Sequence, residues 1–372
     1  MHEKDSESRE LRVSAPDDPY WADLAMRIKR WGRDLGFAQV GISTTDVSAA
    51  GPRLLRWLEL DRHGEMDYMA KHAALRLAPT QLLPKTLSVI SARIPYWPEA
   101  DDSERVLSEP ELAYVSRYAL GRDYHKVVRT RLQKLADGIR NDLESQGERE
   151  AFICRAFSDS APVMEVELAR QAGVGWRGKH SLTLTREGSW FFLGELYTNL
   201  PLPADEPVQD HCGTCERCIS ACPTRAIVAP YEVDARLCIS YLTIELHGSI
   251  PEQLRPLIGN RIYGCDDCQL CCPWNRFAKI GDPAFAVRER LDATSLVELF
   301  MWSADEFEQR LAGSPIRRIG HERWLRNIAV ALGNGPASPT ALAALRSRSA
   351  HPSPLVREHV LWALFRLTSD YS

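Results

Sequence analysis

A chain of 372 residues with 44% hydrophobic content is long enough for two or three domains, each with its own core. Lys and Arg number 46 against 50 Asp and Glu, a formal net charge of −4, which excludes nucleic-acid binding by net charge alone and leaves any such contact to a local patch. No apolar run approaches the roughly 18 to 20 residues that span a bilayer, and MHEKDSESRE lacks the apolar stretch of a secretory leader, so a cytoplasmic, membrane-free monomer is the expectation.

Residues 1–18 are polar and are expected to be disordered. Beyond Tyr20, Leu24, Ile28, Trp31 and Leu35 keep the spacing of an amphipathic helix, and FAQVGIS (37–43) predicts a strand. Further strands are expected at 88–96 and 151–157, with a hairpin of 181–185 and 190–197 around the turn REGS. A helix fits 125–145, where Val128, Leu132, Leu135 and Ile139 share a face. Strands alternating with helices predict an α/β domain. The proline-rich run 199–207 reads as a linker.

Nine of the ten cysteines then fall between 212 and 272. Cys212, Cys215, Cys218 and Cys222, followed by Pro223, form C-x2-C-x2-C-x3-C-P, the bacterial ferredoxin run for a [4Fe-4S] cluster. Three thiolates of such a run converge on one cube, and the fourth reaches the other cube. Cys265, Cys268 and Cys272 before Pro273 repeat the pattern without its first cysteine, and Cys238 upstream supplies the missing ligand. The crosswise rule therefore assigns Cys212, Cys215, Cys218 and Cys272 to one cluster and Cys222, Cys238, Cys265 and Cys268 to the other. Structural zinc is the competing reading, since four-cysteine zinc sites also use C-x2-C pairs, although they seldom close on C-P. Cys154 and Cys271 are left over as buried, inert thiols. Two cubes make a one-electron wire, and no nucleotide-binding glycine motif marks the consumer of its electrons.

After about 285 the pattern becomes helical. LRNIAVALG (325–333) and VREHVLWAL (356–364) superpose at a period of 31, which suggests HEAT-like units, with a plain helical bundle as the alternative. Between 310 and 372 nine arginines face three acids. Arg317, Arg318, Arg323 and Arg326 cluster with His321 and Trp324, a mixture suited to phosphates and unpaired bases, against the alternative of a salt-bridged helix face. A second basic stretch, 117–134, extends such a surface.

The ordered motifs SRYALGRDYH (116–125), FSDSAP (157–162), GWRGKHSL (175–182), VDARLCISYLTIE (233–245), GNRIYGCDDCQLCCPWNR (259–276) and IRRIGHERWLRNIAVALGN (316–334) closely resemble the epoxyqueuosine reductases over residues 19–335. The resemblance implies reduction of the epoxide of epoxyqueuosine in the tRNA anticodon loop to queuosine, with two [4Fe-4S] clusters feeding a cobalamin. It implies cobalt taken to Co(I), through either a cobalt-carbon bond or a radical route, and the need to reach Co(I) points to a low-potential flavodoxin or ferredoxin as donor.

Asp159 of FSDSAP resembles the family's proton donor, and a carboxyl donating near pH 7 should have its pKa raised by desolvation. Its alternative is an aspartate capping a turn. Asp123 is the rival acid, although a structural hydrogen-bonding role for Asp123, Tyr124 and His125 is the stronger reading. Arg76, Ser116, His180, Ser181, Ser240 and Asp266 match cobalamin-contacting positions, with Ser240 and Asp266 beside cluster ligands. The expected whole is an α+β multidomain chain. It comprises an α/β cobalamin-binding catalytic domain (19–200), a ferredoxin-like two-cluster domain (201–285) and an all-α HEAT-like tRNA-binding domain (286–372). A corrinoid reductive dehalogenase and a two-cluster electron carrier are the alternatives.

Overall fold

The computed structural model describes residues 19–146 and 152–369, so the disorder expected of residues 1–18 lies outside the described residues. The strands are β1 (Gln39–Ser43), β2 (Ser88–Pro95), β3 (Tyr114–Val115), β4 (Cys154–Phe157) and β5 (Trp176–Arg177). They continue with β6 (Thr183–Leu184), β7 (Phe191–Thr198), β8 (Ile227–Ala229), β9 (Glu232–Val233) and β10 (Arg261–Tyr263). The central sheet has the order β1-β2-β7-β4 and every pairing in it is antiparallel. The alternation of strands with helices expected of residues 19–200 thus builds an antiparallel sheet.

The 181–197 hairpin is corrected. β6 pairs with β5, whereas β7 pairs along all eight residues of β2 and takes β4 on its other edge. A strand apolar on both faces gains more from a central position than from a short hairpin around REGS.

One sheet face, with Ile90, Ala92, Ile94 and Leu196, packs under the helices Pro19–Asp34 and Tyr124–Ser145. Those helices bury the residues their spacing predicted, Leu24 and Ile28 on the first, and Val128, Leu132, Leu135 and Ile139 on the second. The opposite face, with Val89, Tyr197 and Phe157, packs with Leu168 of the helix Glu165–Gln171. Between the two cysteine runs the chain forms the helix Ile239–Ile244, and β10 then pairs in parallel with β3. That pairing anchors the second run to the N-terminal part.

The C-terminal helices, among them Leu296–Met301, Gly320–Gly333 and Pro354–Ser369, share one core with Val115, Leu120 and Ile262. No helix among the described residues is long and apolar enough to cross a membrane.

Candidate active site

The two cysteine sets inferred from spacing occupy different walls. Cys212, Cys215, Cys218 and Cys272 line one cavity of about 260 Å³. Cys222, Cys238, Cys265 and Cys268 line another of about 460 Å³. The thiols stand round these spaces, and among the described residues no three His, Cys, Asp or Glu side chains close on a single-ion site. Gly264, with φ +70°, precedes Cys265 where an added Cβ would lie 2.6 Å from Ser116 Cβ, so glycine permits both the turn and the close approach. Cys271 is half-buried with its Sγ 3.5 Å from the Cys268 carbonyl, and Cys154 packs beside the sheet core, so both are half-buried where burial was expected.

The larger cavity also receives Asp159, Glu165, His180, Ser181, Ser240, Ser116 and Asp266. Asp266, almost fully buried, accepts hydrogen bonds from Tyr114 Oη (2.8 Å), Ser116 Oγ (2.5 Å) and the Arg117 N–H (2.8 Å). Burial pushes its pKa up despite those three bonds. Its geometry ties the second cysteine run to β3. Arg76 is absent from this wall; it lines an adjoining cavity of about 550 Å³ that shares Glu165, Val166, Ser181 and Val233 with the first. Its Nη1 reaches the Val163 carbonyl at 3.2 Å.

A further cavity, of about 420 Å³, is walled by Met66, Tyr241, Glu245, Tyr263, Arg318 and Arg323. Asp159, Tyr118, Tyr124 and Ser240 belong to both this cavity and the 460 Å³ one. Asp159 follows β4 with φ +55°, an uncommon conformation for a residue with a Cβ. Its carboxylate accepts from Tyr124 Oη and lies 3.0 Å from His125 Nε2. The turn-capping alternative is set aside, because the side chain turns to its neighbours across the cleft.

His125 Nδ1 is 2.7 Å from Asp123 Oδ1, and Arg318 Nη2 donates to the other Asp123 oxygen at 3.1 Å. Arg318 Nη1 also lies 3.0 Å from His125 Nε2, which accepts there only when that nitrogen carries no proton. Burial would lower the His125 pKa, yet the bonds to Asp123 and Asp159 outweigh it and raise it. Asp123 is drawn down to about 2, because its bonds from His125 and the Arg318 charge overcome desolvation. It is therefore an ionised anchor and not the rival acid. Its carboxylate also caps the helix Tyr124–Ser145 through the His125 N–H at 3.2 Å.

The raised pKa expected of Asp159 is corrected. Desolvation does push it up, but hydrogen bonds from His125 and Tyr124 hold it below the ordinary carboxylate value. The raised acids are its neighbours. Glu165 is pushed to about 8 by burial and by the Asp159 charge, against a hydrogen bond from the Asp159 N–H. Glu195, on β7 opposite Ser91 and Phe157, is wholly buried with neither oxygen hydrogen-bonded, and burial raises it well above its usual value. Neither signal was legible in sequence, where GEL inside a strand reads as ordinary alternation.

Glu195 gives a stability prediction. Its folded pKa is raised, so its contribution is fully present below the unfolded value near 4.5 and is lost as pH climbs toward the folded one. Glu195→Gln cannot ionise, and Glu165 titrates in both proteins. The unfolding free energy of the variant relative to the parent should therefore climb as pH rises above about 5, at up to ~1.4 kcal/mol per pH unit, and its melting temperature should climb with it. A difference independent of pH would show Glu195 to be solvated.

The arginine cluster does not form one surface. Arg317 is half-exposed and paired with Glu308, and Arg318 stands at the 420 Å³ cavity. Arg323 donates to the carbonyls of Ile319 (2.7 Å), Ile244 (2.8 Å) and Arg318 (3.1 Å). Arg326, expected to face RNA, is fully buried and donates to the carbonyls of Leu242 (2.7 Å), Leu246 (2.7 Å) and Gly248 (2.8 Å). With Asn327, which donates to the Thr243 carbonyl at 2.8 Å, these arginines satisfy the orphan C-terminal carbonyls of the helix Ile239–Ile244. Trp324 is likewise buried and stacks on Trp302, while His321 Nε2 lies 2.9 Å from the Trp302 carbonyl. In the second basic stretch Arg117 is buried against Ser103 and the Asp101 carbonyl, and Arg131 pairs with Asp282.

Comparison with known proteins bears on the same residues. The family described as 4Fe-4S double cluster binding domain matches residues 211–275, and that described as epoxyqueuosine reductase QueG, DUF1730 matches residues 76–160. An epoxyqueuosine reductase of Burkholderia pseudomallei (strain K96243) is 57% identical, covering 94% of this chain and 93% of the relative. That of Escherichia coli (strain K12) is 57% identical over 92% of this chain and 89% of its own. A crystal structure of epoxyqueuosine reductase with an epoxyqueuosine-modified tRNA-Tyr stem loop superposes with TM-score 0.84 at 28% identity, covering 93% of this chain and 91% of that one. The enzyme from Streptococcus thermophilus gives 0.82 at 27% identity, over 92% and 90%. With likeness of this extent joined to two separate cysteine sets and a carboxylate between two cavities, this chain belongs to the epoxyqueuosine reductase family.

Proposed function

We propose that the chain reduces the epoxide of epoxyqueuosine in a tRNA anticodon loop to the alkene of queuosine, with cobalamin in the 460 Å³ cavity and a [4Fe-4S] cluster on each cysteine set. The observation that carries this reading is the position of Asp159 on the wall common to a cavity backed by cluster ligands and a second cavity beside Arg318 and Arg323. The relative solved with a modified tRNA stem loop supports the substrate.

The residues fit a corrin, whose rim of amide groups needs scattered hydrogen-bonding partners around an apolar floor. Tyr96, Phe191, Phe192 and Leu193 give the apolar lining. His180 Nε2 and Thr183 Oγ1 are buried there without a hydrogen-bond partner, and Arg76 Nε is likewise unpartnered in the adjoining cavity. His180, lowered to about 4 by burial, is neutral. His180, Ser181, Ser240 and Arg76 would therefore hold the cofactor. Ser116 and Asp266 would hold the cluster loop against it. When bound, cobalamin supplies a strongly reducing cobalt centre.

The reaction consumes two electrons and two protons, converting the epoxide to an alkene and water. Asp159 would face the departing oxygen and, being ionised itself, would pass on a proton from His125, whose pKa its two carboxylate neighbours raise. Glu165, pushed to about 8 and so protonated at neutral pH, borders the same space as a second proton source. Arg317 and Arg318 are the outward candidates for tRNA phosphate, with Arg323 shaping the cavity mouth. The packing of Gly320–Gly333 along Pro354–Ser369 supports reading residues 286–372 as a HEAT-like tRNA-binding domain, beside 19–200 and 201–285 as catalytic and cluster domains.

The test is anaerobic incubation of reduced, cluster-loaded protein with tRNA carrying epoxyqueuosine, with and without cobalamin, followed by nucleoside mass spectrometry. Loss of one oxygen only with cobalamin is the expected result. Retention of that oxygen by protein holding about eight irons, as two cubes require, would refute the assignment.

A further inference from the structure

The second cysteine set is shut inside the cofactor cavity, whereas the first reaches the surface. Cys215 is exposed; each of the other nine cysteines is buried or half-buried. The cavity of about 260 Å³ lined by its set is also walled by Arg217, Arg276, Trp274 and Phe277. From Arg276 the chain runs on through Phe277, Ala278, Lys279 and Ile280. Phe277 is 46% exposed and Ile280 63% exposed, with Arg276 and Lys279 exposed between and beside them. Single apolar residues on a surface are ordinary, but two in one short exposed segment beside a redox site are a patch.

The charges around that patch are unspent. Arg217, Arg276 and Lys279 make no ion pair with the described residues, in contrast to Arg317 and Arg318. The Arg276 guanidinium lies 4.6 Å over the Phe277 ring, presenting cation and ring together. Of the neighbouring acids, Asp210, which accepts from Tyr231 Oη and from the Cys212 N–H at 2.9 Å, and exposed Glu216 stand against these three cations, a local excess of one positive charge. A small apolar centre in a basic rim suits a brief encounter steered by charge, the pattern of electron-transfer interfaces at the low end of interface size.

We infer that the face formed by Cys215, Arg217, Arg276, Phe277, Lys279 and Ile280 is the docking surface for an acidic protein carrying a low-potential one-electron centre. Each encounter oxidises the carrier by one electron and reduces the Cys212/Cys215/Cys218/Cys272 cluster by one. Two encounters supply one epoxide. The inference rests on the cluster reading above, and its test separates the two.

The probe is reduced flavodoxin, an acidic one-electron carrier, mixed anaerobically with cluster-loaded protein without cobalamin or tRNA, while cluster absorbance is followed by stopped flow. Dithionite, which needs no docking surface, is the parallel reductant. Arg276→Glu with Lys279→Glu should slow reduction by flavodoxin about tenfold or more at low salt and flatten its salt dependence. The dithionite rate and iron content should not change. Lys279→Glu alone and Ile280→Ser, further along the chain from the ligands, carry the same test if the double variant loses iron, and Arg346→Glu is the control for Lys279→Glu, with the same charge change of two units. An unchanged flavodoxin rate would overturn the inference, as would equal slowing by both reductants with iron intact. Absence of cluster iron or reducible absorbance in the parent protein would instead refute the cluster reading.

Discussion

Asp159→Asn should lower turnover by roughly two to four orders of magnitude, the usual scale for a lost acid-base group, while both clusters and cobalamin stay bound. The amide keeps the shape of the side chain but cannot carry a proton from His125 to a leaving oxygen. It also removes one of the two carboxylates that hold His125 protonated, so the His125 pKa should fall toward its ordinary value. In the parent enzyme the His125 pKa is raised, so the protonated relay is full at low pH and empties as pH rises past that raised value. Single-turnover rates across pH, read by nucleoside mass spectrometry beside the cluster and cobalamin spectra, decide the matter. Undiminished turnover in the variant would remove Asp159 from the chemistry.

The second large effect should be on stability. Arg326→Met should cost about 3–5 kcal/mol, because a buried cation that holds three carbonyls is removed and those acceptors are left without partners. Methionine fills much of the volume, so the loss reports on the polar contacts more than on a cavity. The carbonyls belong to the end of Ile239–Ile244 and the loop beyond it, and that helix begins directly after Cys238, the proposed cluster ligand. Loosening it should also lower iron retention on heating. Urea and thermal unfolding of the cluster-loaded protein are the measurements. An unchanged melting point together with weakened tRNA binding would return Arg326 to the RNA surface.

The contrast between these two residues shows how far the amino-acid order reaches. Cluster ligation was legible because it is a local constraint: thiolates of one cube must leave a short loop together, so C-x2-C-x2-C-x3-C-P carries its geometry in its spacing. The helices Pro19–Asp34 and Tyr124–Ser145 were legible for a similar reason, since a 3.6-residue period states which face is buried.

What a charge faces is not a local property. Arg317 and Arg326 stand nine residues apart in one basic run, yet the first is half-exposed and the second lies in the core, because the fold brings the end of Ile239–Ile244 to only one of them. The sheet order depended likewise on distant partners, with β7 leaving its local hairpin for the full length of β2. Asp159 was readable from its motif as the proposed proton donor, but its ionisation was set by Tyr124 and His125, more than thirty residues earlier in the chain. Sequence determined the cysteine spacing and the periodic elements, which depend on neighbours along the chain. Tertiary structure decided protonation, burial of charge and the meeting of the two cavities, which depend on what the fold packs against each group.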